Sequence, residues 1–190
     1  SGRMNLRLAK TDLFAELDET VFTFRERALR DGIEVKYSIP EVPAIANADA
    51  NRLKQVFMNI LDNALKYSRS PSKIFVKAEF TKLDNQNFVK IAIADQGCGI
   101  SKEDLPHVKE KFYKANVSVR GSGIGLAVTN EIVNLHHGKL EIDSQEGKGT
   151  LVTIYLPVEN SPTKNELNDM KQNETVQDAE INEGVEINKN

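Results

Sequence analysis

Asn59, Asn63 and Lys66 are residue types that hold a metal–phosphate pair, and they lie in one run, Asn59-Ile60-Leu61-Asp62-Asn63-Ala64-Leu65-Lys66-Tyr67. At about 100° per residue the three fall within an arc of roughly 60°, beside an apolar stripe. An amide oxygen is a neutral, hard ligand for Mg²⁺, and a lysine ammonium is a point charge for phosphate. Tyr67 borders the apolar face and suits contact with a flat ring. A plain polar helix edge with an aromatic partly in the core has the same pattern.

Three further runs have chemical character. Asp95-Gln96-Gly97-Cys98-Gly99-Ile100 follows a strand pattern. An acidic side chain there can accept from an exocyclic amine such as that of adenine, and glycines behind it admit a flat ligand. A simple glycine turn is the alternative. Arg120-Gly121-Ser122-Gly123-Ile124-Gly125-Leu126 opens a helix. Its glycines expose successive N–H groups at a helix N-terminus, which is an anion site suited to phosphates. No strand immediately precedes it and no Gly-Lys-Ser/Thr follows, so it is neither a dinucleotide fingerprint nor a Walker loop. Between the two glycine runs, Lys111, Lys114 and Arg120 form a basic loop containing Phe112. Such a loop is either a solvated surface or a movable cover over a polyanion, with Phe112 as its anchor.

The elements that must position these groups follow from periodicity. Asp12 to Arg30 and Asn51 to Tyr67 carry helical apolar spacing, with Asp49 placed to cap the second. Ile33 to Ile39 alternates as a strand, and Ala44 to Ala48 suits a short one. Strands are expected over Lys73 to Thr81 and Phe88 to Ala94, and a helix start at Ser101 to Asp104. A helix over Gly125 to His136, stopped by Gly138, precedes a closing hairpin of Lys139 to Asp143 and Thr150 to Leu156. This order suits an α+β, two-layer sandwich: a mixed, mostly antiparallel sheet of about five strands, covered on one face by three helices.

The 190 residues hold one domain plus appendages, and the formal net charge of −3 gives no basic excess for a nucleic-acid partner. The single cysteine, Cys98, cannot pair internally, which fits a reducing cytoplasm. Residues 161–190 carry seven acidic and three basic residues and almost no aromatic, so a disordered acidic tail is expected over 159–190. No apolar run is long enough to span a bilayer. The chain opens at Ser1-Gly2-Arg3 without a methionine and reads as a piece of something longer.

The ordered set Asn-x-x-x-Asn-Ala-x-x-Tyr, Asp-x-Gly-x-Gly, basic Phe loop and Gly-x-Gly-x-Gly resembles the sequence boxes of the ATP-binding catalytic domain of bacterial sensor histidine kinases. The match runs over roughly residues 47 to 158 and includes the turn Gly147-Lys148-Gly149-Thr150. It implies a Bergerat-type fold, with a catalytic domain over 11–158 and a remnant of an upstream dimerisation helix or linker over 1–10.

It also implies residue roles. Asn59 and Asn63 hold Mg²⁺, and Lys66 reaches a phosphate of ATP. Tyr67 lies along the base or ribose, Asp95 accepts from the adenine amine, and Gly97, Gly99 and Ile100 shape the base pocket. Lys111, Phe112 and Lys114 belong to the lid; Lys114 stands where an arginine is frequent and loses its bidentate fork. Gly121, Ser122, Gly123, Ile124 and Gly125 fold over the triphosphate, Leu126 starts the helix beneath it, and Thr150 flanks the pocket. Lys109 departs from the pattern, standing where an apolar aromatic is usual.

The reaction implied is transfer of the γ-phosphoryl group to a histidine. His107, His136 and His137 are the only three histidines, and none lies in the His-Glu-x-x-x-Pro setting of an acceptor. The expected partners are therefore a histidine-bearing dimerisation domain upstream, homodimeric in the parent, and the receiver domain of a response regulator. The parent is expected to be membrane-anchored with this domain in the cytoplasm. Gyrase-like ATPases carry a water-activating glutamate where Asn59 stands here, and an amide is no general base. The alternatives are a degenerate nucleotide-binding module acting by protein contact and a serine-phosphorylating anti-sigma-type kinase.

Overall fold

Asp12 starts the first helix. Its Oδ1 accepts from the N–H groups of Phe14 (3.1 Å) and Ala15 (3.3 Å), so α1 runs Leu13–Arg30. The same oxygen takes the N–H of Ala44 at 3.1 Å and ties the helix start to a later loop. Asp49 caps α2, Ala50–Tyr67, by accepting from Arg52 N–H at 3.1 Å, while its other oxygen takes Arg7 N–H at 2.9 Å. Burial pushes this carboxyl up, but the two N–H donors outweigh it and hold it below its ordinary value.

The computed structural model describes residues 4–110, 125–187 and 189. Its strands are β1 Ala9–Asp12, β2 Ile33–Ser38, β3 Ile45–Ala48, β4 Ser72–Leu83, β5 Gln86–Asp95, β6 Lys139–Gln145 and β7 Gly149–Pro157. A third helix, α3, spans Gly125–Leu135. The main sheet has the order β2-β4-β5-β7-β6, parallel at β2–β4 and antiparallel elsewhere. One face is packed by Leu17, Val21 and Phe24 of α1, Val56, Phe57 and Ile60 of α2, and Ile132 and Val133 of α3. The mixed five-stranded sheet under three helices is therefore present as expected.

Several expectations are corrected. Residues 9–12 form β1, antiparallel to β3, a strand that was not expected; four residues rich in polar groups gave no periodic signal. Ser101 to Asp104 forms turns and a single 3₁₀ turn follows at Leu105–His107, because Pro106 supplies no N–H. The segment expected to be a disordered tail carries two helices, α4 Lys164–Gln172 and α5 Val176–Glu186. Thr163 with Glu166 and Thr175 with Asp178 form capping boxes at their starts. Ile181 and Val185 of α5 are buried against Phe75, Ala92, Ala94 and Leu151, so a helix also covers the sheet's second face.

Candidate functional site

The site residues come from four element ends that the sheet brings together. On α2, Asn59, Asn63 and Lys66 lie along the edge beside the packed stripe; the asparagines are half-buried and Lys66 is exposed. Asn59 Nδ2 donates to Thr129 Oγ1 at 3.5 Å, and Thr129 is fully buried on α3. That long contact points the amide nitrogen toward α3. The one carboxylate within this run, Asp62, is ion-paired with Arg27 of α1.

Asp95 ends β5 and is 7% exposed. Its Oδ1 accepts from the N–H of Gly97 at 2.9 Å and of Thr150 at 3.3 Å. Burial pushes its pKa up to about 6, against the pull of those two donors. A carboxylate held this way at a strand's carboxyl end is a strong, oriented acceptor for an amine on a flat ligand.

The loop after Asp95 is clamped on two sides. Cys98 N–H donates to the carbonyl of Tyr67 at 3.2 Å, and Gly147 N–H donates to the carbonyl of Cys98 at 2.7 Å. Both glycines are required by this clamp. A Cβ on Gly97 would stand 2.4 Å from Tyr67 O, and one on Gly99, at φ +69°, would stand 2.0 Å from Gln145 O. Ile100 N–H donates to Ser144 Oγ at 2.8 Å, and that hydroxyl lies 2.9 Å from Thr150 Oγ1. Tyr67 is half-buried, which pushes its hydroxyl up, and Lys66 Nζ lies 5.7 Å from its ring centre.

The structure thus gathers Tyr67, Asp95, Gly97, Gly99, Ile100 and Thr150 around one loop. Asn59 and Asn63 stand on the same helix as Tyr67, and Asn59 faces α3, whose first residues are Gly125 and Leu126. Lys111, Phe112, Lys114, Arg120, Gly121, Ser122, Gly123 and Ile124 lie outside the described residues. Thr129 and Ser144 were missed by sequence reasoning. Each acts through a partner 70 and 44 positions away, a separation that no local pattern reports.

Lys109, the departure from the expected pattern, has a structural use. Its Nζ donates to the carbonyl of Leu140 at 2.7 Å, on the sheet's outermost strand, while neighbouring Val108 is buried. None of the histidines is placed as an acceptor. His136 is buried, with Nε2 accepting from Asp49 N–H at 3.0 Å and Nδ1 2.8 Å from Ile132 O. His107 is exposed and pairs with Glu110, and His137 holds a positive φ of 61° at the end of α3.

Residues 48–160 match the family model described as "Histidine kinase-, DNA gyrase B-, and HSP90-like ATPase". The chain is 33% identical over 168 residues to the "Non-motile and phage-resistance protein" of Caulobacter vibrioides, covering 86% of this chain and 20% of that protein. It is 39% identical over 120 residues to sporulation kinase E of Bacillus subtilis, covering 63% of this chain and 15% of that one. Among solved structures, the mycobacterial sensor histidine kinase MprB superposes with a TM-score of 0.65 at 28% identity, covering 82% of this chain and all of that one. The chain therefore spans a fifth or less of the length of these two curated relatives.

Proposed function

The chain belongs to the histidine kinase-, DNA gyrase B- and HSP90-like ATPase family, and from that premise we propose that it is the phosphoryl-donor module of a sensor histidine kinase. In this reading Asp95 selects adenine, Tyr67 lies against the base, and Asn59, Asn63 and Lys66 hold the metal and phosphates. Lys114 and the glycines 121, 123 and 125 close over the triphosphate. The acceptor histidine lies on a dimerisation domain of the parent, and a response-regulator aspartate receives the group next. The parent is membrane-anchored and this module faces the cytoplasm; no described helix is long and apolar enough to cross a membrane.

The observation that carries the reading is the absence of a base on the α2 edge. The position of a water-activating glutamate holds Asn59, and Asp62 is engaged with Arg27. A module that keeps ATP intact until a histidine attacks it needs binding and charge neutralisation without hydrolysis.

The donor set fits Mg²⁺ arriving with the nucleotide. Two neutral amide oxygens suit a hard ion that keeps most of its coordination from phosphate and water. Among the described residues no group of three His, Cys, Asp or Glu would hold a metal by itself. When bound, the ion would neutralise phosphate charge. Calorimetric titration of Asn63→Ala tests the assignment. The affinity gained on adding Mg²⁺ to ATP should disappear while affinity for metal-free ADP persists; an undiminished Mg²⁺ gain would remove Asn63 from the site.

A further inference from the structure

The second face of the sheet offers an apolar strip, Phe75, Ala92, Ala94 and Leu151, within a field of Lys36, Lys73, Lys77 and Lys90. Helix α5 is acidic, with Asp178, Glu180, Glu183 and Glu186, and presents Ile181, Gly184 and Val185 at helical spacing. Ile181 is 0% exposed and Val185 4%. Glu180 bridges Lys73 at 2.6 Å and Lys36 at 3.3 Å. Gly184 lets the helix sit directly on Phe75, since a Cβ there would stand 2.4 Å from the ring.

This seat lies behind the nucleotide pocket. Ala94 and Leu151 are paired across β5 and β7, and the next residues along each strand are Asp95 and Thr150, which are bonded to each other on the opposite face. A second link runs through Lys73. Its Nζ holds Glu180, and its backbone N–H donates to Gln96 Oε1 at 2.9 Å, one residue after Asp95.

We propose that α5 is a positioning element for the nucleotide site, seated on the strand ends that carry Asp95 and Thr150. The proposal rests on the reading of Asp95 as the adenine acceptor. The helix is held by its own seat and not by the segment before it: α4, which leads to it, buries no residue. Removing α5 exposes Ala94 and Leu151 and loosens the two strand ends, so base recognition weakens while phosphate binding does not.

Gly184→Leu in the 190-residue chain tests this, with Ile181→Asp as a second route to the undocked helix. Hydrogen exchange should show lost protection in residues 176–186 with the main sheet still protected. ATP affinity should fall about five- to tenfold, with affinity for inorganic tripolyphosphate unchanged. Adding Phe75→Ala to Gly184→Leu makes room for the side chain and should restore both protection and affinity.

The proposal is overturned if undocking leaves ATP affinity intact, or if tripolyphosphate weakens equally. Protection that is absent in the native chain, or that persists in both variants, overturns the seat itself. Asp95→Asn, titrated in parallel, separates the failures. If it spares ATP, the adenine reading falls; if it weakens ATP and the α5 variants do not, only the role of α5 falls.

Discussion

A carboxyl group buried at the end of a central strand is costly to keep ionised, and Asp95 shows it. Its pKa lies at about 6 against an ordinary 3.8, with desolvation as the main cause. The folded state therefore binds a proton more tightly than the unfolded one, so stability falls as pH rises from about 4 to 6. The deficit at neutral pH is about 3 kcal/mol. Asp95→Asn keeps an oxygen for the N–H groups of Gly97 and Thr150 and carries no charge. Nucleotide-free Asp95→Asn should thus melt higher than wild type at pH 7, by about 1–3 kcal/mol of unfolding free energy. The gain should vanish at pH 4, and an equal or lower melting temperature at pH 7 would contradict the burial account. Asp95 and the glycines beside it were legible because residue type and spacing alone restrict them. Thr129 and Ser144 were not, since each matters through a contact that only the folded sheet creates.

At the scale of elements, the end of α3 shows where composition misleads. Gly138 was expected to stop the helix, but the left-handed residue is His137, at φ 61°. The N–H of His137 donates to Asn134 O at 2.9 Å and that of Gly138 to Val133 O at 2.9 Å, the two bonds of a Schellman cap. His137→Gly should stabilise the chain by about 1 kcal/mol, read as a raised urea midpoint without change in slope. An unchanged midpoint would mean the histidine side chain compensates its strained backbone. Strands β2, β4 and β5, with α1 and α2, were legible because their apolar periods are strong, whereas β1 had no such period. The helices at 164–186 were not, since α5 is acidic and buries mainly Ile181, Gly184 and Val185. One signal was available: Ile91-Ala92-Ile93-Ala94 is apolar on both faces, as a strand covered on both sides must be.

Taken whole, the molecule is an ATP-binding kinase domain whose three histidines stand outside any His-Glu-x-x-x-Pro setting. His136 is locked between α2 and α3, while His107 and His137 are exposed on turns. Incubated with γ-labelled ATP, the chain alone should acquire no acid-labile phosphate; label on any of the three histidines would place the acceptor inside it. The central claim is that Asp95 reads adenine, and competing purines test it most directly. Adenine presents an amine to that carboxylate, whereas guanine presents a carbonyl oxygen, which a carboxylate repels. Calorimetric titration with the Mg²⁺ complexes of ATP and GTP should give wild type a preference for ATP of roughly a hundredfold or more. Asp95→Asn should lose most of that preference by weakening ATP. Equal affinity of wild type for the two nucleotides, or a preference that survives in Asp95→Asn, would contradict it.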